Sequence, residues 1–130
     1  MYLYINIASR ENVEISIVGS GFKEINKAGF SCEYQFQIKD RLLKEIDKIL
    51  VKNKIVLKDL NGIIAVNKSK EMTSLRIGIS VANALAYSLN IPAVGIENPD
   101  QLSLAFKSFK KIKKFRLVKP KYEINPMLKK

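Results

Sequence analysis

The sequence predicts an α/β domain: one mixed sheet of five strands with helices on its faces, in the order βββαβαβα. Three patterns carry this expectation. The first third of the chain alternates apolar and polar residues at the two-residue period of strands. Two later stretches repeat apolar residues at the 3.6-residue period of helices. Each of those helical stretches is followed by a short unbroken apolar run, the pattern of a strand buried on both faces of a parallel sheet.

The elements follow in order. Residues 2–7, Tyr-Leu-Tyr-Ile-Asn-Ile, are rich in strand formers, and residues 13–18, Val-Glu-Ile-Ser-Ile-Val, alternate. Gly19-Ser20-Gly21 supplies a turn, and residues 22–36 hold one or two further short strands around Ala28-Gly29. Three antiparallel strands are therefore expected first. Residues 38–53 change period, with Ile38, Leu42, Leu43, Ile46, Ile49 and Leu50 on one helical stripe. The connector 57–62 leads into Gly62-Ile63-Ile64-Ala65-Val66, a central parallel strand. Residues 73–90 form the strongest helix, apolar around most of its circumference, with a narrow polar stripe of Arg76, Ser80, Asn83 and Tyr87. A helix this apolar is buried on two sides. Its own sheet supplies one side, and another helix or another chain must supply the other. Gly78, Ala82 and Ala86 would let a neighbouring backbone come close. Residues 92–96 read as a second buried strand, Asn98-Pro99-Asp100 opens a helix reaching about residue 110, and residues 115–118 form a final edge strand. Pro120 and Pro126 keep the end extended. An antiparallel meander feeding right-handed crossovers is the topology this order requires.

Composition narrows the chemistry. The 130 residues fit one domain and contain no histidine, so the commonest general base and zinc ligand are missing, and with them every Ser-His or Cys-His arrangement. The single cysteine, Cys32, cannot form an internal disulfide or a thiolate zinc cluster, and fits a reducing cytoplasm. No run approaches the length of a membrane helix, and Met1 to Asn6 lacks the basic start and cleavage site of a signal peptide. No cofactor, metal or membrane is expected. The net charge of +11 is concentrated at one end: residues 107–130 hold ten Lys/Arg and one acid. Lys110, Lys111, Lys113, Lys114 and Arg116 make the densest cluster, with Phe106, Phe109 and Phe115 beside it either to stack on bases or to anchor the segment to the core. Thr73 and Ser74 read as helix N-caps rather than catalytic hydroxyls.

One segment carries a family resemblance. Thr73-Ser74-Leu75-Arg76-Ile77-Gly78, followed by Ala82-Asn83-Ala84-Leu85-Ala86-Tyr87-Ser88-Leu89-Asn90-Ile91-Pro92-Ala93-Val94-Gly95-Ile96, resembles the TsaB-family pattern F-T-G-L-R-I-G then A-x-G-L-A-Y-x-L-x-I-P-x-V-G-V. Leu57-Lys58-Asp59-Leu60-Asn61-Gly62-Ile63-Ile64-Ala65-Val66 is similar to L-x-D-L-D-A-I-A-V, and Tyr4-Ile5-Asn6-Ile7-Ala8-Ser9 to the opening A-I-D-T-S. The element order is also that of the ribonuclease H-like half-domain of actin, sugar kinases and heat-shock ATPases. The resemblance implies a half-domain over residues 1–118 and a basic extended tail over 119–130, without the family's second half-domain. Two departures stand out. Asn6 replaces the superfamily's metal-assisting Asp, which removes a charge. The glycine-rich loop G-P-G-S-F-T-G has become Asn67-Lys68-Ser69-Lys70-Glu71-Met72-Thr73-Ser74, with no glycine to let backbone N–H groups reach a phosphate.

TsaB proteins act as non-catalytic partners of TsaD, the subunit that transfers threonylcarbamoyl to tRNA, together with the TsaE ATPase. Pairing, and self-association, use two helices that pack against their counterparts. On this resemblance Leu42, Leu43 and Ile46, with Arg76, Ile77, Ser80, Val81, Ala84 and Tyr87, are the expected partner contacts. The plainer reading of Leu42, Leu43 and Ile46 is that they face the local core. A stand-alone basic RNA-binding or ribosome-associated protein is the second reading left open. An active ATPase, kinase or protease is disfavoured by the missing histidine and phosphate loop.

Overall fold

Strands β1 (Tyr2–Asn6), β2 (Val13–Val18) and β3 (Glu24–Phe30) form an antiparallel meander, with Ile5 opposite Ile15 and Ile15 opposite Ala28. The computed structural model describes residues 1–19, 21 and 23–122, the last without its side chain. Ser20 of the expected turn, and the tail from 123 with Pro126, lie outside the described residues. A tight turn at Gln35–Gln37 leads into helix α1 (Ile38–Lys52). Strand β4 (Gly62–Val66) then runs parallel to β1, and β6 (Ala93–Ile96) parallel to β4, giving the sheet order β3-β2-β1-β4-β6. Between them lie the two-residue strand β5 (Lys68–Ser69) and helix α2 (Met72–Leu89); helix α3 (Leu102–Lys111) follows β6.

Alternation along the strands sorts the core into two layers. Leu3, Ile5, Ile63 and Ala65 point to one face, where Leu42, Ile46, Leu75 and Ala82 of α1 and α2 cover them. Tyr4, Ile64 and Val66 point to the other, under Ala105, Phe106 and Phe109 of α3. Tyr2 joins this second layer, stacked on Phe109 at 4.7 Å and edge-on to Phe106 at 5.2 Å. Two glycines set the helix distances. A Cβ on Gly78 would stand 2.9 Å from Ile7 Cδ1, and one on Gly62 would run into the Phe109 ring. α2 ends at Asn90, whose φ of 52° and ψ of 47° is the left-handed conformation that asparagine tolerates at a helix terminus.

The structure departs from the sequence reading at the end of the chain. Residues 115–118 do not form an edge strand; one parallel bridge links Arg116 to Pro92, with Ala93 N–H donating to Arg116 O at 3.2 Å. Phe115 and Val118 turn into the α1–α2 core instead, which pulls the backbone out of strand register. Past Val118 the chain stays on the body. Lys121 N–H donates to Asn67 O at 2.6 Å, and β7 (Lys121–Tyr122) pairs parallel with β5. Residues 115–122 thus form a strap along the outer side of β6.

Candidate protein interface

Helix α1 places its adjacent leucines oppositely. Leu42 is 0% exposed and Ile46 3%, on the inward stripe that also holds Ile38 and Ile49, whereas Leu43 is 42% exposed. One residue turns a helix by about 100°. The expectation that Leu42 and Ile46 contact a partner is therefore corrected: both belong to the chain's own core.

The outward faces of α1 and α2 enclose a shallow, mostly apolar groove of about 600 Å³. Lys39 and Leu43 form one wall, and Arg76, Ile77, Ser80 and Ala84 the other, with Val81 and Leu85 at the base. Six of the nine residues expected at a partner surface, Leu43, Arg76, Ile77, Ser80, Val81 and Ala84, come together here. Val81 is 7% exposed and contributes only the floor. Tyr87 is 73% exposed on the same helix but leans away from the groove, with its ring edge-on to Phe115 at 5.4 Å. Lys39, Leu85 and Ser88 also line the groove, unforeseen. Each lies four residues from a foreseen one (Leu43, Val81, Ala84), so the helical period held the signal.

The loop between β4 and α2 is closed on itself. Asn6 Oδ1 accepts the Ala8 N–H at 3.1 Å, so the amide holds its own turn. The Ser69 hydroxyl donates to Ala8 O and accepts the Glu71 N–H at 3.0 Å. Glu71 Oε1 accepts the Arg10 N–H at 3.3 Å and stands 4.0 Å from the Arg10 guanidinium. A carboxylate of the chain thereby takes up a backbone donor of the β1–β2 turn, ahead of the α2 N-terminus. The capping expectation for Thr73 and Ser74 is corrected. α2 starts at Met72, so both residues lie inside its first turn; no side chain caps the Glu71 position, and the Ser74 hydroxyl is buried without a partner. Among the described residues no cluster of three or more Cys, Asp and Glu is placed to hold a metal.

Lys110 and Lys111 end α3, with Lys113, Lys114 and Arg116 just beyond, all five exposed. Phe106 and Phe109 are 2% and 3% exposed and Phe115 is half-buried against the core, so these rings anchor the segment and offer no stacking platform. Further along the strap, the Lys121 ammonium donates to Glu97 Oε1 at 3.1 Å and holds that carboxyl below its ordinary value, with Lys68 adding to the effect.

Sheet order, crossovers and helix placement define a single half-domain of the ribonuclease H-like class. The fold matches "YeaZ from Pseudomonas aeruginosa" with a TM-score of 0.65 at 18% identity, over 85% of this chain and 48% of that one. A second structure, "an uncharacterized protein with similarity to peptidase YEAZ from Pseudomonas aeruginosa", matches with the same figures. In sequence, residues 37–115 match the family model described as "TsaD: tRNA N6-adenosine threonylcarbamoyltransferase". The "tRNA threonylcarbamoyladenosine biosynthesis protein TsaB" of Buchnera aphidicola subsp. Schizaphis graminum is 37% identical over 97 residues, covering 74% of this chain and 44% of that protein. The chain belongs to the TsaB-like family, and it spans less than half the length of these relatives.

Proposed function

We propose that the chain is a non-catalytic partner subunit in the biosynthesis of tRNA threonylcarbamoyladenosine, pairing through the α1–α2 groove with a TsaD-like catalytic subunit. The groove is the observation that carries this reading. It joins exposed Leu43 and Ala84 with half-buried Ile77 in one mostly apolar depression that the chain's own sheet does not cover. A helix pair of the partner would bury it by packing ridges into grooves. The name of the Buchnera relative supports the pathway, and the family model supports kinship with the catalytic subunit. A TsaE-like ATPase and tRNA join the assembly in this reading, and the free chain self-associates through the same groove. The absence of histidine and of a glycine phosphate loop fits a subunit whose work is structural. Co-expression with the TsaD-like protein of the same organism, followed by size-exclusion chromatography, tests the proposal. The two chains should co-elute, and Ala84→Glu should separate them. Co-elution unaffected by a charge at Ala84 sinks the helix-pairing reading.

A further inference from the structure

We infer that the outer surface of α3, together with the adjoining strap at the β6 edge, binds the phosphate backbone of RNA. Residues 107–121 contain eight lysines and arginines and no acid. Lys107, Lys110, Lys111, Lys113, Lys114 and Arg116 are exposed, and none takes part in a salt bridge among the described residues. Among the described residues the one salt bridge to this strip is at its far end, from Lys121 to Glu97.

The strip also has a fixed base. Asn83 holds the Val118 backbone through two hydrogen bonds, and the Asn67 amide donates to Lys119 O at 3.2 Å. Beside it runs a polar groove of about 580 Å³ along β6, with Ser108, Arg116, Lys119 and Lys121 on its lining. Cations carried on a held backbone lose less freedom on binding than cations on a loose tail.

The chemistry separates the polyanions. A bilayer surface needs an amphipathic helix with a free apolar face. α3 buries its apolar stripe of Ala105, Phe106 and Phe109 under the sheet and leaves out only Leu104, with Leu117 exposed on the strap, too little to form such a face. Protein interfaces are depleted in lysine and centre on apolar or aromatic anchors. Here lysines dominate, and the nearby rings point inward. A row of unpaired lysines is what a regular line of phosphates requires, because each contact releases a condensed counterion. Placement matters as well. α1 and α2 cover the Leu3 and Ile5 face, while α3 covers the Tyr4 and Ile64 face. The α3 lysines and the α1–α2 groove therefore lie on opposite faces of the sheet, with the strap at the β6 edge between them, its Phe115 and Val118 packed against the α1–α2 core.

The choice of tRNA as probe rests on the proposed function; the charged surface does not. Fluorescence anisotropy with a labelled tRNA transcript and the purified full chain tests the inference. Roughly five phosphate contacts predict a loss of affinity on the order of a hundredfold between 50 and 200 mM salt. The exposed triple variant Lys110→Glu, Lys111→Glu, Lys114→Glu should bind at least tenfold more weakly, with a shallower salt slope, and still co-elute with the catalytic partner. Ala84→Glu should bind tRNA as the unmodified chain does. Salt-independent binding, or a triple variant that binds normally, overturns the inference. So does polyglutamate bound as tightly as tRNA, which would mark an acidic-protein surface, or a DNA duplex bound more tightly than tRNA. Intact RNA binding with failed co-elution rejects the partner reading alone.

Discussion

Asn83 grips Val118 from both sides: its Nδ2 donates to Val118 O at 2.9 Å, and its Oδ1 accepts the Val118 N–H at 2.8 Å. Val118 is 4% exposed, so both backbone groups would be left without water if the amide were removed. Asn83→Ala should cost about 1–3 kcal/mol, the penalty for orphaning buried polar groups. Urea unfolding measures the loss. Hydrogen exchange at the Val118 amide should accelerate more than the global destabilisation explains, because the strap opens locally.

Gly78 lets α2 close on β1. Its absent Cβ would stand about 3 Å from three atoms of Ile7, closer than ordinary contact. Gly78→Ala gains about 1 kcal/mol in helix propensity but meets an overpacking cost of about 1–3 kcal/mol. A net loss of thermal stability is expected. Ile7→Ala in the same chain should relieve the clash, so that the double variant loses less than the two single losses combined. Strict additivity in a double-mutant cycle would show that the two residues do not press on each other.

Leu42 and Leu43 separate stability from binding. Leu42→Ala should cost about 2–5 kcal/mol, because it leaves a cavity beneath the sheet. Leu43→Ala should change stability by less than about 0.5 kcal/mol, as expected of a residue outside the packed core. In co-elution with the catalytic partner the order reverses at temperatures where both variants are folded: Leu43→Ala weakens the complex and Leu42→Ala does not.

Tyr4 predicts an alkaline limit. Burial pushes its hydroxyl up to about 12, with a small further push from Glu14 and Glu24, although Asn6 lies close enough to draw it partly back. The hydroxyl has no hydrogen-bond partner of good geometry. A phenol whose folded value lies above its unfolded value of 10.0 adds stability that is complete below pH 10 and is lost between pH 10 and about 12. The loss should be about 1–2 kcal/mol, less than the full shift because solvent relaxes around the ionised ring. Tyr4→Phe should remove this component from the alkaline unfolding curve. At neutral pH it should be neutral or stabilising by up to about 1 kcal/mol, since it deletes a buried unpaired hydroxyl. A Tyr4→Phe chain with the same alkaline profile as the parent contradicts the assignment.

The meander, α1, β4, α2, β6 and α3 were legible because burial on one face imposes a period on the residues. Ile38, Leu42, Ile46 and Ile49 repeat at helical spacing, and Ile15 and Ile17 at strand spacing. The strap was not legible. Its fastenings join Asn83 to Val118 and Asn67 to Lys119, 35 and 52 residues apart, through amides that leave no periodic trace. Pro120 spoke for an extended chain but not for where it lies. The partner surface was half legible. The family resemblance pointed to the two helices that enclose the groove, but it does not separate Leu42 from Leu43, of which only the second faces out. The partners of the inward residue, at four-residue steps, were enough to decide it.

The strap also fixes where this sheet could grow. On the β6 side the chain's own return occupies the margin, through the Arg116 bridge and the pairing of β5 with β7. Among the described residues the open margin of this sheet is β3, where Lys23, Glu24 and Lys27 stand exposed. Charged side chains on a free margin discourage strand-to-strand accretion. The fold thus fills one flank with its own hydrogen-bonded return and lines the other with hydrated charge that a docking strand would have to strip of water, which favours association through the helices.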